Sequence, residues 1–579
     1  MRIVLKYYKK YIPVIVGIIL FLFCEAMCEL SLPAYMSDII NNGVIKGDMA
    51  YIRKIGLIMI VIAAGSTLTA IIASLLSSRT AAGVSRNLRK ALFQRVTAYS
   101  AAEIEQFSTA SLITRSTNDV QMIQQSTVMI LRMACFAPIM GIGAIIRAVK
   151  TNVPLSWTIG VALATVIAIM IISFLVVLPK FKVLQDKLDK VNLIMKERLS
   201  GILVIRAFNT EKKEEKRFDL ANMDVTGINK FVNKAMSFMM PSLTFIMSAV
   251  GVLIVWVGAH MVENNTLLIG DMLAYLQYAM HVIMSFLFIT MIFIMIPRAA
   301  VSAGRIGAVL EVQPSVVTPE TPERPEESRG VLEFNNVSFR YPDADENVIE
   351  NVSFTARPGQ FTAIIGSTGS GKSTLVNLIP RFYDVTEGEI LLDGVNVSKM
   401  DLTELRDAIG YVPQKGLLFS GTIADNMRFG KNDASNEEVL KAIDIAQATE
   451  LIQEKPEGIN EPVSQGGTNV SGGQKQRLSI ARALVKEAKL YIFDDSFSAL
   501  DFKTDKALRE ALSREVTNST ILIVAQRINT ILDADQILVM DEGKLVGKGT
   551  HEELLETCNV YKEIALSQLS EAELERGHK

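Results

Sequence analysis

The sequence predicts two fused domains, an all-α domain that crosses a membrane six times and an α/β domain built around a phosphate-binding loop. Three observations carry this expectation. Long uncharged runs fill the first half of the 579 residues. A segment rich in proline and glutamate, 311–330, then reads as an exposed linker. Beyond it, apolar strand-like runs alternate with helical ones, and FTAIIG opens directly into a glycine-rich turn. Apolar residues make up 49% of the chain, high for a soluble protein, and the net charge of −2 excludes nucleic-acid binding by bulk electrostatics.

Four runs are clean: 55–78, 151–179, 235–262 and 272–297. Each exceeds the ~20 residues that a helix needs to cross a bilayer. Two more are interrupted by charge: 12–36 contains Glu25 and Glu29, and 126–149 contains Arg132 and Arg147. The basic, aromatic start MRIVLKYYKKY leads into a run that continues to spanning length without a small-residue cleavage site, so it reads as a retained first span. Lys and Arg set the orientation. Arg2, Lys6, Lys9 and Lys10, the basic segment 79–125 and the richer segment 180–234 are expected on the cytoplasmic side of the plasma membrane. Everything after Arg298 follows them there, where ATP is available. The expected domains are 1–310 in the membrane, a linker over 311–330 and a nucleotide-binding domain over 331–579. The two basic segments, about fifty residues each, are too long for ordinary loops. They read as helical extensions of the spans with crossing tips near 107–114 and 201–208. The four cysteines, Cys24, Cys28, Cys135 and Cys558, lack zinc-like pairing with histidine and read as reduced.

The turn Gly366, Ser367, Thr368, Gly369, Ser370, Gly371, Lys372, Ser373, Thr374 matches G-x-x-x-x-G-K-[ST] after a strand. Glycines let backbone N–H groups curl around phosphates, and the helix that follows favours negative charge at its start. Lys372 is expected to reach the β- and γ-phosphates and the Ser373 hydroxyl to ligate Mg²⁺. Downstream, the apolar strand of KLYIFDD delivers Asp494 as the second Mg²⁺ ligand.

Between these lies NVSGGQKQRLSIARALV, in which Ser471, Gly472, Gly473 and Gln474 are similar to the signature of ATP-binding-cassette (ABC) proteins. Tyr341 in FRYP resembles that family's adenine-stacking aromatic. Gln414 in YVPQ resembles the glutamine that joins the Mg²⁺ site and couples nucleotide to the membrane domain. Residues 498–501 resemble its D-loop. Six spans ahead of one cassette resemble an ABC exporter half-transporter of the multidrug type, over nearly the whole chain. The resemblance implies that two chains pair around two molecules of ATP, each held by the phosphate loop of one chain and the signature of the other. It also implies that ATP-driven closure turns the membrane domain outward and that hydrolysis resets it.

Two positions depart from the family. Its catalytic glutamate is Asp495 here, one methylene shorter, and its switch histidine is Gln526, an amide that cannot carry a proton. Retracting a base by ~1 Å can cost about 10²-fold in rate. Together they point to a site that binds ATP and turns it over slowly, in the degenerate-site subunit of a heterodimer with a second, related half-transporter. The substrates expected are hydrophobic or amphiphilic compounds. A lipid or peptide exporter and a nucleotide-gated regulator without turnover are the alternatives. Glu25 and Glu29, one helical turn apart, together with Arg132, are candidates for the substrate cavity, the bland reading being a structural pair.

Overall fold

The computed structural model describes residues 2–342 and 344–569. It forms two compact units, Met1–Val96 with Ala110–Glu311, and Thr97–Thr109 with Val312–Lys579.

In the first unit, six helical segments among the described residues are long and apolar enough to cross a membrane. Uncharged aliphatic runs fold this way because helix is the one local structure that satisfies every backbone group without water. The segments contain the runs Ile12–Asp38, Met49–Thr97, Thr109–Thr151, Trp157–Ser200, Glu211–Glu263 and Ile269–Glu311. At 49 residues, Met49–Thr97 is about 73 Å long, more than twice the ~30 Å hydrocarbon core, so the sequence-expected extension beyond the membrane is present. The core of this unit joins Leu30, Ala144, Leu155, Ile254 and Tyr275, from the first, third, fifth and sixth spans and the turn before the fourth. Two buried phenols are satisfied by backbone carbonyls of other segments. Tyr275 donates to the Leu155 carbonyl at 2.9 Å and Tyr278 to the Leu30 carbonyl at 3.2 Å. The second span enters through Ala73, enclosed by Ile18, Leu22 and Leu131.

The second crossing tip is the helix Ile202–Ala207, between Gly201 and Phe208 as expected. The first differs from the expectation of 107–114. It is the helix Ala101–Phe107, ended by Ser108 at φ 56°, after which Thr109–Thr114 resumes the third membrane segment. The reason is local. Ser100 and Glu103 form a capping box that starts a helix before the apolar pattern does. Thr97–Thr109, placed by sequence with the membrane domain, packs within the second unit. Ala101 and Ala102 lie on that unit's core. The buried Glu103 carboxylate accepts from the Ser100 N–H (2.8 Å), the Ser100 hydroxyl and the Ser315 N–H (3.2 Å).

The second unit is built on twelve strands. They are β1 (Leu332–Phe339), β2 (Ile349–Ala356), β3 (Phe361–Gly366), β4 (Glu387–Leu392), β5 (Val395–Asn396), β6 (Ile409–Val412), β7 (Gly421–Thr422), β8 (Pro462–Val463), β9 (Leu490–Asp494), β10 (Thr520–Val524), β11 (Gln536–Asp541) and β12 (Lys544–Gly549). One sheet has the order β2-β1-β4-β5, the other β12-β11-β3-β10-β9-β6, and β7 pairs with β8. In the six-stranded sheet β11, β3, β10, β9 and β6 run parallel, so their carboxyl ends share one edge. The central strands are buried on both faces: Ile364, Ile492 and Leu522 pack with residues of β1, β2, β4 and the helix Lys372–Leu378, while Ala363, Phe493 and Ile523 pack with residues of the helices Gly472–Leu484 and Phe502–Glu515. Residues of the linker 311–330 are pinned to this unit, Val317 by the Arg381 guanidinium and Arg324 by Glu404.

Burial raises the Glu103 pKa, and the four hydrogen bonds offered by Ser100 and Ser315 outweigh it, leaving a net depression. A depressed carboxyl stabilises above its unfolded pKa and loses that contribution as pH falls through the folded one. Glu103→Ala is therefore expected to speed amide exchange of Ala101–Phe107, by an opening free energy of about 2 kcal/mol. In the native chain that protection is expected to hold near neutral pH and to fall only in acid below the ordinary glutamate range of ~4.3.

Candidate nucleotide site and membrane carboxylates

Strand β3 runs between β10 and β11, so Gly366 emerges at the centre of the strand-end edge, where open α/β sheets hold their ligands. A Cβ on Gly366 would sit 2.1 Å from the Met540 carbonyl oxygen. Gly371 has φ +92°, and a Cβ there would lie 2.7 Å from Ile349 Cδ1. Only glycine lets the loop turn back here into the helix Lys372–Leu378.

That helix carries the polar groups of the site. Lys372 Nζ donates to the carbonyls of Gly366 (2.8 Å) and Ser367 (2.7 Å), which holds the ammonium inside the curl of the loop. Burial pushes its pKa down, and the neighbouring Asp495 and Asp494 carboxylates push it back up. Ser373 Oγ donates to Asp494 Oδ1 at 2.9 Å. Thr374 Oγ1 lies 3.0 Å from the Tyr341 hydroxyl, and the Tyr341 ring meets Phe339 and Tyr383 edge-on. Burial raises the Asp494 pKa, and the adjacent Asp495 carboxylate adds to the rise. Two buried carboxylates facing one ammonium leave room for further positive charge, and hydroxyl, carboxylate and amide oxygens are hard donors. The residues present therefore fit Mg²⁺.

Asp495 follows the end of β9 in the left-handed region, φ 48°, with its N–H on the Val524 carbonyl at 3.1 Å. Aspartate tolerates this conformation better than longer residues do. The turn directs its carboxylate across the edge, where Oδ2 accepts from both Gln414 Nε2 (3.1 Å) and Gln526 Nε2 (2.7 Å). The two departures legible in the sequence thus touch each other, and Gln414 joins them. Ser498 Oγ donates to the Asp495 carbonyl at 2.9 Å.

The signature is a capping box. Ser471 caps the helix Gly472–Leu484, accepting from the Gln474 N–H at 3.3 Å, while Gln474 Oε1 accepts from the Ser471 N–H at 2.9 Å. Among the described residues, Ser471, Gly472, Gly473 and Gln474 make no hydrogen bond to the phosphate loop of their own chain. In the membrane unit, Glu25 is 7% exposed and its Oε2 has no partner among the described residues. Glu29 and Arg132 both lie within electrostatic reach of it. One site residue was missed in the sequence. Gln568, in the last turn of the helix Asn559–Gln568, holds the loop that carries Gln526. A solvent-side glutamine in a helix carries no motif that would have marked it.

Two family models match the chain, the ABC transporter transmembrane region over residues 14–286 and the ABC transporter domain over 349–498. An ABC transporter ATP-binding protein of Mycobacterium tuberculosis is 40% identical over 550 residues, covering 94% of each chain. The ABC transporter ATP-binding protein YfiB of Bacillus subtilis is 40% identical over 585 residues, covering 98% of each. The chain belongs to the ABC transporter family. An ATP-dependent lipid A-core flippase of Pseudomonas fluorescens is 30% identical over 573 residues, 96% of this chain and 94% of that one. This ABC transporter is an exporter half-transporter: a multi-pass membrane protein whose cassette is an ATPase, using ATP with Mg²⁺, coupled to transport.

Gly371→Ala is expected to weaken ATP binding by at least about tenfold. The left-handed backbone alone costs an alanine roughly 1–2 kcal/mol, and the new methyl meets Ile349. Equilibrium binding of a fluorescent ATP analogue to the full chain measures this.

Proposed function

We propose that this ABC transporter is one half of a heterodimeric exporter of hydrophobic and amphiphilic compounds, a multidrug efflux pump, whose own phosphate loop holds MgATP and hydrolyses it slowly. The observation that carries the proposal is the double amide clamp on one oxygen of Asp495. A general base offers a lone pair to the attacking water and passes on the proton it takes. Here Oδ2 is committed to two amide donors, and neither amide can accept or relay that proton. The shorter side chain also sets the carboxylate back from the γ-phosphate side. In this reading Tyr341 stacks on adenine and the loop Gly366–Thr374 cradles the phosphates. Lys372 exchanges its two carbonyl partners for phosphate oxygens. Ser373, Asp494 and Oε1 of Gln414 would hold Mg²⁺, which when bound would neutralise charge on the β- and γ-phosphates. Nucleotide then stays bound and closed rather than being turned over.

The capped helix at Ser471, Gly472, Gly473 and Gln474 is complete and, among the described residues, makes no hydrogen bond to its own phosphate loop, which fits a role in completing the partner's site. That asymmetry favours a related but different partner chain with a catalytic glutamate. The proposal puts the protein in the plasma membrane, with the N-terminus and the cassette cytoplasmic. Glu25, buried with one oxygen unpartnered among the described residues, forms with Glu29 an acidic patch in the first span that attracts cationic amphiphiles, with Arg132 balancing it in the absence of substrate. The similarity to the lipid A-core flippase supports a second reading, in which the amphiphile is a lipid.

Asp495→Glu combined with Gln526→His is expected to raise the ATPase rate of the chain purified alone by about 10- to 100-fold. Robust hydrolysis by the native chain alone, unchanged by Asp495→Asn, sinks the slow-site reading. For the cavity, Glu25→Gln with Glu29→Gln is expected to reduce transport of cationic dyes into everted vesicles of the co-expressed pair at least several-fold, leaving neutral substrates moving. Equal loss of both would make the pair structural, and movement of labelled lipid but no dye would favour the second reading.

A further inference from the structure

The loop after β10 leaves the sheet immediately before the switch position. The Ala525 N–H is taken by the Ile364 carbonyl at 3.0 Å. Beyond that point the chain turns away, and the backbone groups of Gln526 and Ile528 have no strand to pair with. Both are claimed by one side chain. Gln568 Nε2 donates to the Gln526 carbonyl at 2.8 Å, and Gln568 Oε1 accepts from the Ile528 N–H at 2.8 Å. An amide that grips a donor and an acceptor two residues apart fixes the direction of the loop between them as well as its distance.

The clamp is itself held rigidly. Helix Asn559–Gln568 lays Tyr561 and Ala565 into the core, with Leu569 just past its end, at spacings of four residues. The Tyr561 hydroxyl is 2.6 Å from His551 Nδ1, tying this helix to the preceding one, His551–Thr557. Ile528 and Ile531 of the loop are in the same core. Gln568 is therefore delivered to the loop by a helix that cannot roll, and the loop delivers Gln526 to Asp495 at 2.7 Å.

We infer that Gln568 is a positioning residue for the hydrolytic site: it sets the switch side chain at 526 against the carboxylate at 495, and through that contact sets the rate of ATP turnover. The inference rests on the reading of Asp495 and Gln526 as the catalytic and switch positions. A bidentate amide supports a glutamine at 526 and a histidine equally, since it grips only the backbone. The same clamp is therefore expected to serve the slow native site and a restored fast one.

The test uses the full-length chain in nanodiscs, in the native background and with Asp495→Glu plus Gln526→His. Gln568→Met keeps the shape of the side chain and removes both bonds. Gln568→Glu keeps the acceptor for Ile528 and sets a carboxylate oxygen against the Gln526 carbonyl. Each variant is expected to lower kcat about tenfold in whichever background turns over measurably, with KM for ATP and the unfolding temperature unchanged. Unchanged kcat in both backgrounds overturns the inference. So does a joint fall of kcat, ATP affinity and unfolding temperature, which would mark Gln568 as a plain structural contact. Fast hydrolysis by the native chain would defeat the slow-site reading alone, and the effect of Gln568 would then be read in that background.

Discussion

Parallel pairing of β3 with β10, and of β10 with β9, is the constraint on which the nucleotide-binding unit depends. The register places Val524 opposite both Ile364 and Asp494, so three chain segments distant in sequence end together. Each then turns sharply: β3 through glycines into the phosphate loop, β9 through left-handed Asp495, and β10 into the loop bearing Gln526. Strands buried on both faces admit no slippage, because a one-residue shift would carry Asp494 into the apolar core or Phe493 out of it. The polar residues at the edge are placed by apolar residues that take no part in the chemistry.

A second constraint is the cost of uncompensated charge. At the strand-end edge it is met by mutual contact: Lys372 folded onto carbonyls, Ser373 on Asp494, and two amides on Asp495. In the membrane unit it is only partly met, since Glu25 keeps an oxygen without a partner among the described residues.

The membrane helices and the nucleotide-binding fold were legible because their signals are local. Span length is read from uncharged runs, and Gly366–Ser373 carries its geometry in its glycines. The signature was legible as a family motif, although its physical basis, a capping box between Ser471 and Gln474, is also a local pattern. The first crossing tip was placed too late in the chain. Its start is set by Ser100 and Glu103, and the hydrogen bond that anchors Glu103 comes from Ser315, far along the chain. The Ser100–Glu103 capping box lies within one short window of sequence, whereas the Ser315 contact that seats it does not.

By itself the sequence determined the two-domain architecture, the six spans, the glycine-rich loop motif, and which residues stand at 494, 495 and 526. These follow from residue type and short-range spacing. Only the tertiary structure decided that Gln414 and Gln526 converge on the same oxygen of Asp495, that Thr97–Thr109 packs with the nucleotide-binding unit, and that Gln568 grips the switch loop from the final helix. The physical reason is that hydrogen bonds between side chains are made by proximity in space. That proximity is produced by sheet register and helix packing, which sum weak apolar contacts across the whole unit and leave no trace at the positions they bring together.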